Sequence, residues 1–271
     1  MKKSIALISV LIFIFTIILL ISQIFNIYEK IKINNFAQTS IYIKNISESL
    51  KNATKDINSS DELENLFVEF PISIENFKSF IKISPLSDKL NLNLYLKNQK
   101  IDPFIDKFLD NLLYEYDIAD PLFFKDLILD TLDKDDIERE ALSEHFPNGN
   151  IVNFNEFNKI LNYYYEQRDD KNIFKIPWRD LIYFSNEKTI IDCNLMPKKL
   201  AEFLNLDYQN ELNCDNLYKN EQNLKILNDL DIIPYEKGKK FIIKITINGK
   251  LKIYYELSAN KVLKVENNPI Y

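Results

Sequence analysis

The sequence predicts an α+β protein: a long N-terminal helix packed on an antiparallel sheet, with a large all-helical insert between the sheet's early and late strands. Three observations carry this. An uncharged apolar run extends from Ile5 to about Tyr28, and its helical pattern continues to Leu50. From Asp102 onward, helical periodicity dominates for over a hundred residues. The last 35 residues alternate apolar and polar around Asn248-Gly249, the strongest short hairpin signal.

The first run is long enough to span a bilayer, since about 20 apolar residues cross its hydrocarbon core as a helix. Its backbone must satisfy its own hydrogen bonds there, which leaves helix as the conformation. Lys2 and Lys3 precede it, so the positive-inside bias keeps the N-terminus cytoplasmic and exports the rest. A cleaved secretory signal has an apolar core of roughly 7–15 residues and a small-x-small site after it; neither fits here. Ile27, Ile31, Phe36, Ile41, Ile43, Ile46 and Leu50 then recur at three- and four-residue spacings. No Gly or Pro interrupts before Pro71, and Asn58–Asp61 supplies a stop and a fresh N-cap signal. The periodicity alone fits equally a signal anchor with an amphipathic stalk.

Basic residues, then Ser4, then IALISVLIFIF resemble the N-terminus of type IV pilins and type II secretion pseudopilins. The resemblance implies cleavage by a prepilin peptidase between Ser4 and Ile5, with methylation of the new amine on Ile5. Most members carry glutamate at the fifth mature position, where this chain has Ser9. One class lacks it: the K-type minor pseudopilin (general secretion pathway protein K), which the family places at the filament tip. The family usually has Gly before the cut, where this chain has Ser4.

Composition narrows the function classes. Net charge is −6, with Lys and Asp/Glu interspersed and no basic stripe, which argues against nucleic acid as a partner. The three glycines, at 149, 238 and 249, leave no dinucleotide or phosphate-loop fingerprint. His145 is the sole histidine, so histidine triads and multi-histidine metal sites have little to work with. Cys193 and Cys214, in an exported domain, are a disulfide candidate or two separate buried thiols.

Between Asp61 and Lys100 the pattern is mixed. A short helix is expected at Asp61–Phe67, then a segment from Ile74 to Ile83. Leu90, Leu92, Leu94 and Leu96 alternate with Asn91, Asn93 and Tyr95, the period of a half-buried strand. Asp88 and Asn91-Leu92-Asn93 resemble the K-type strand that follows an acidic turn.

Asp102-Pro103 then caps a helix with Phe104, Phe108, Leu112 and Leu113 on one face. Asp120-Pro121 starts another, with Leu122, Leu127, Ile128 and Leu132 expected to face inward. It leads into KDLILDTLDKDDIEREALSEHF, where carboxylates crowd. Such a run is solvated, paired with Lys134 and Arg139, or bound to a cation, and hard oxygen ligands suit Ca²⁺. Counting Asp133 as position 1 of an EF-hand puts Glu138 where Gly is required, which argues against that loop. Leu129-Asp130, Leu132-Asp133-Lys134-Asp135-Asp136 and Ser143-Glu144 nevertheless resemble the K-type signature, with Thr131 replacing its tryptophan and the glycines missing. The resemblance implies Ca²⁺ held by Asp133, Asp135, Asp136 and Glu144.

After Pro147-Asn148-Gly149, a helix is expected with Phe154, Phe157, Ile160, Leu161 and Tyr164 buried. Tyr163–Tyr165 reads as aromatic core plus rim. Asn194 and Pro197 resemble a second family landmark, an apolar stretch, Asn and Pro leading a helix. Ile243, Ile245 and Ile247, then Leu251, Ile253, Tyr255 and Leu257, form the facing strands of the closing hairpin, with a third strand at Val262–Val265. Three strands with one apolar face must pack on something, and Phe36–Leu50 is the natural candidate.

These expectations divide the chain into a leader (1–4), the transmembrane and amphipathic helix (5–60), early sheet (61–100), helical insert (101–235) and closing strands (236–271). The resemblance implies a non-enzymatic minor pseudopilin that caps or initiates a filament. Its partners would be other minor pseudopilins of a tip complex, the prepilin peptidase and the inner membrane, with the bulk of the chain periplasmic. The alternative is an unprocessed, membrane-anchored periplasmic binding or assembly protein.

Overall fold

The computed structural model describes residues 52, 54, 57–67, 69–74, 77–133, 139, 149–186, 188–208, 211–247 and 251–267. The expected membrane helix, Ser4, Ile5, Asp135, Asp136, Glu144 and the Asn248-Gly249 turn lie outside these residues. Among the described residues, no helix is long and apolar enough to cross a membrane. The chain forms two compact units. One takes in residues up to Leu86 and from Tyr235 onward; the other is Ser87–Pro234. The sequence-based divisions stood at 101 and 236, so the helical unit begins 14 residues earlier than expected.

The first unit is built on a five-stranded antiparallel sheet. Helix α1 (Ser60–Glu64) precedes it, capped by Ser59, whose hydroxyl accepts from Glu62 N–H. Strands β1 (Glu69–Ile74) and β2 (Phe77–Pro85) pair from Glu69↔Lys82 to Ile74↔Phe77. The sequence showed only part of β2, because Pro71 masks β1 as a strand. Proline cannot donate to a ladder, and β1 is an edge strand where that donor is dispensable.

The closing strands are β9 (Ile242–Ile247), β10 (Leu251–Glu256) and β11 (Lys261–Asn267). Sheet order is β1-β2-β9-β10-β11, so the chain leaves after β2 and returns beside it at β9. Ile83, Ile243, Ile245, Ile253 and Tyr255 are buried on one face. Period-2 alternation puts Lys82, Lys244, Thr246, Lys252 and Tyr254 on the other. The expected packing of Phe36–Leu50 on this sheet lies outside the described residues.

The second unit opens with β3 (Leu90–Asn91), a 3₁₀ turn at Leu92–Leu94, and a small hairpin of β4 (Leu96–Lys97) and β5 (Lys100–Ile101). The alternating leucines therefore do not make one strand. Asn91 caps the 3₁₀ turn by accepting from Asn93 N–H, and both asparagines are as buried as their leucine neighbours. A two-faced strand pattern requires one wet face, and here neither face is wet.

Helix α2 (Pro103–Glu115) starts where Asp102 Oδ1 accepts from Phe104 and Ile105 N–H at 2.9 and 3.1 Å. Helix α3 (Pro121–Leu132) is capped by Asp120, which accepts from Phe123 N–H. Asp120 also accepts 2.8 Å from Arg168, whose guanidinium lies 3.7 Å above the Phe123 ring. Burial pushes the Asp120 carboxyl up, but the Arg168 and Phe123 hydrogen bonds outweigh it and hold it below its ordinary value. Leu122 corrects the expected inward face: it is 65% exposed, on the side shared with Lys125 and Asp126. The buried arc runs instead through Phe123, Phe124, Leu127 and Ile128.

Helix α4 (Phe154–Arg168) buries Phe157, Ile160, Leu161 and Tyr164. Of the three tyrosines, Tyr164 is core, hydrogen-bonded to Asp170; Tyr163 and Tyr165 are half-buried. The chain continues through α5 (Trp178–Leu181), β6 (Ile182–Tyr183), β7 (Ile191–Asp192), α6 (Lys198–Phe203), α7 (Cys214–Lys219), α8 (Leu224–Asp229) and β8 (Ile232–Ile233). Two short parallel pairs, β3 with β6 and β7 with β8, tie these pieces together. One continuous apolar core, from Leu90 to Ile232, fills the unit.

Candidate functional site

The acidic run leaves α3 at its C-terminal end, and what the structure describes there is an ion cluster. Asp130, fully buried, accepts 3.1 Å from Arg139 Nη1 and 3.0 Å from the Arg139 main-chain N–H. Asp133, 6% exposed, accepts 2.6 Å from the same Nη1. Two carboxylates thus converge on one cationic nitrogen. Burial pushes the Arg139 guanidinium down, and the bonds to Asp133 and Asp130 more than reverse that, holding it charged.

The far end of the same loop is fixed as firmly. Gly149 N–H donates 3.0 Å to Thr131 O on α3. Asn93 then takes both main-chain groups of Ile151, accepting from its N–H at 3.1 Å and donating to its carbonyl at 2.9 Å. Asn91 does the same to Ser185, at 3.0 and 2.9 Å. A primary amide is the one short side chain that offers donor and acceptor side by side, as a neighbouring strand would. The Asn91-Leu92-Asn93 triplet is therefore a clamp, and it holds the return of the acidic loop. Asn93→Leu is expected to leave the buried Ile151 N–H and carbonyl unmatched, costing about 2 kcal/mol. Urea unfolding followed by the fluorescence of Trp178, the chain's one tryptophan, checks this.

The Asn194 region forms a third knot. Cys193 and Cys214 are joined by a disulfide, with Cα atoms 5.1 Å apart. Asn194 accepts 3.0 Å from Cys214 N–H, and Asp192 accepts 2.9 Å from Asn194 N–H. The bridge closes a 21-residue separation, which removes chain entropy from the unfolded state. Asp192, Cys193 and Cys214 are the group of potential metal-ligating side chains found among the described residues, and the disulfide consumes its two sulfurs.

Of the residues singled out from the sequence, Asp133 is thus placed beside Asp130 and Arg139, while Asp135, Asp136 and Glu144 lie outside the described residues. Asp130 and Arg139 are the members that sequence reasoning left out of the ligand set. Their signal was the spacing itself: Asp130 and Asp133 share one face of a helix end. Carboxylates are the donor type an oxygen-ligated cation takes, but at Asp130 and Asp133 the Arg139 guanidinium already supplies the positive charge.

No known family model matches this sequence, and no curated protein matches it. A comparison of folds is more informative. A chain of the GspK-GspI-GspJ complex from the type 2 secretion system of enterotoxigenic Escherichia coli superposes with a TM-score of 0.56. The match covers 86% of this chain and 97% of that one, at 11% identity. The fold is pseudopilin-like. Helices and an antiparallel sheet combine as the sequence led one to expect, and the helical unit interrupts the sheet between β2 and β9.

Proposed function

We propose that this chain is a K-like minor pseudopilin that caps or initiates the pseudopilus of a type II secretion system or a related type IV filament, assisting protein export. The observation that supports this is the combination of a pseudopilin-like fold with a bulky helical unit inserted between β2 and β9. A filament subunit with such an insert obstructs the addition of another subunit above it. Ser9, in place of the usual glutamate, fits the same position, because a tip subunit has no neighbouring amine above it to neutralise. Its partners are then other minor pseudopilins and the prepilin peptidase, and its role is mechanical rather than enzymatic. It sits in the inner membrane with its bulk periplasmic, and moves to the filament tip on assembly.

The acidic loop is the regulatory part of this reading. Asp133 with Asp135, Asp136 and Glu144 would hold Ca²⁺, which supplies positive charge to order a carboxylate-rich segment. The clamps at Asn93, Thr131 and Asp130 fix where that segment leaves and rejoins the fold. Chelation with EGTA is expected to lower the thermal midpoint, and Glu144→Gln to abolish the difference between the calcium-loaded and chelated protein. Equal midpoints with and without calcium would remove the cation from the account.

The decisive measurement is the mass of the N-terminal peptide of protein taken from its native membrane. A peptide beginning at N-methylated Ile5 is expected. A peptide beginning at Met1 or Lys2 would favour the second reading, an unprocessed single-pass anchor carrying a periplasmic binding or assembly domain. That reading has one observation behind it, Ser4 where the family's peptidase usually meets Gly.

A further inference from the structure

Helices α7 and α8 bring little of their own to the core of the helical unit. Each has six residues, well short of the roughly 12–15 at which an isolated helix becomes marginal in water. Helix α7 buries Cys214 and Leu217, and α8 buries Leu227 with Ile226 half-buried beside it. By contrast, α2 buries five residues and α3 eight.

The two short helices hold chiefly to each other. Asn223, in the turn between them, is 1% exposed. Its Nδ2 donates to Leu217 O at 3.0 Å and to Asp207 O at 2.6 Å, and its Oδ1 accepts from Asp207 N–H at 2.9 Å. Attachment to the rest of the unit is concentrated at one residue. Cys214 forms the disulfide to Cys193, next to β7, and donates its N–H to Asn194 Oδ1 at 3.0 Å. Tyr218 adds a 2.9 Å bond to Ile232 O, but Ile232 belongs to β8, which follows α8 closely. Exposed Lys225 lies 5.7 Å over the Phe104 ring of α2, a surface contact. Both cysteines are buried, so the bridge lies beneath the two helices rather than on their rim.

We propose that the Cys193–Cys214 bridge is a redox latch. With the bridge formed, α7 and α8 are seated on the core; with the thiols reduced, they leave it together as a flap while the rest of the helical unit stays folded. Closing the latch forms one S–S bond. The two thiols give up two protons and two electrons to an external disulfide, which leaves as two thiols. Oxidants of that class act outside the reducing cytoplasm, so the helical unit takes its final form only after export. The latch rests on the export part of the reading above. A bridge of 21-residue separation is worth on the order of a hundred-fold in an unfolding equilibrium. Here that unfolding is local, because each short helix supplies only one fully buried leucine of its own.

The test is amide hydrogen exchange on the full chain in phosphatidylcholine nanodiscs. It compares the oxidised chain, the chain reduced with a trialkylphosphine, and the double variant Cys193→Ala/Cys214→Ala. Exchange through α7 and α8 is expected to rise on the order of a hundred-fold in the reduced and variant chains. It should hold at Pro103–Glu115 and Phe154–Arg168. Oxidised glutathione should restore slow exchange to the reduced chain and leave the variant unchanged. Iodoacetamide gives a second reading: the reduced cysteines, buried when the flap is seated, should be alkylated at the opening rate of α7 rather than that of α4. Unchanged exchange at α7 and α8 would overturn the proposal. So would faster exchange through α2 and α4 as well, or a variant that does not fold, since the bridge would then staple the whole unit. A chain whose flap latches but whose N-terminal peptide begins at Met1 would lose the filament reading and keep the latch.

Discussion

Replacing Arg139 by alanine is expected to destabilise the helical unit by about 3 kcal/mol, because it strands two buried carboxylates together. Asp130 is wholly buried and Asp133 nearly so, and both aim at the nitrogen that the change removes. Breaking a buried pair from one side typically costs about 3–5 kcal/mol. The low end applies here, since the Arg139 side chain is 41% exposed and water can reach part of the vacated space. Urea unfolding read by Trp178 gives the value. The same variant reports on the loop's cation chemistry. With the guanidinium gone, added Ca²⁺ is expected to recover part of the loss, because a divalent cation is then the best available charge for Asp130 and Asp133. A variant as stable as the parent would mean that the two carboxylates find other charge, and the cluster would lose its place as the loop's anchor.

That site shows what a sequence can and cannot disclose. Helix starts were legible because caps are local: Asp102-Pro103, Asp120-Pro121 and the Asn-Ser-Ser-Asp signal near Ser59 each depend on a few adjacent residues. The closing hairpin was legible for the same reason, since alternation around Asn248-Gly249 is a short-range pattern. The failures are all long-range. Leu90–Leu96 has the rhythm of a strand, but Asn91 and Asn93 spend their amides on main chain 94 and 58 residues away. Leu122 has the right period for the core and the wrong turn of the helix, which only the position of α4 decides. Arg139 was visible as a partner for carboxylates in general. Which ones it meets depends on how the chain leaves α3.

The largest single effect is expected from Phe124→Ala, about 4 kcal/mol, within the range of about 3–5 for deleting a buried phenyl ring. Phe124 is fully buried on α3, with ring centroids 5.4 Å from Tyr164, 5.5 Å from Trp178 and 6.4 Å from Phe157. It therefore joins α3 to α4 and α5, three elements that otherwise meet through short connections. Two of its contacts are edge-to-face, the geometry in which aromatic pairs add about 0.5–1.5 kcal/mol beyond burial. The surrounding rings are too rigid to close the gap, so a cavity remains and the loss is not softened by collapse. Amide hydrogen exchange extends the measurement to the architecture. If the helical unit is a module inserted into a pseudopilin-like sheet, protection should fall through Pro103–Glu115 and Phe154–Arg168 and hold at Ile242–Ile247 and Leu251–Glu256. Loss of protection in both sets together would show that the two units fold as one cooperative body. The insert would then be part of the sheet's own stability rather than a cap carried by it.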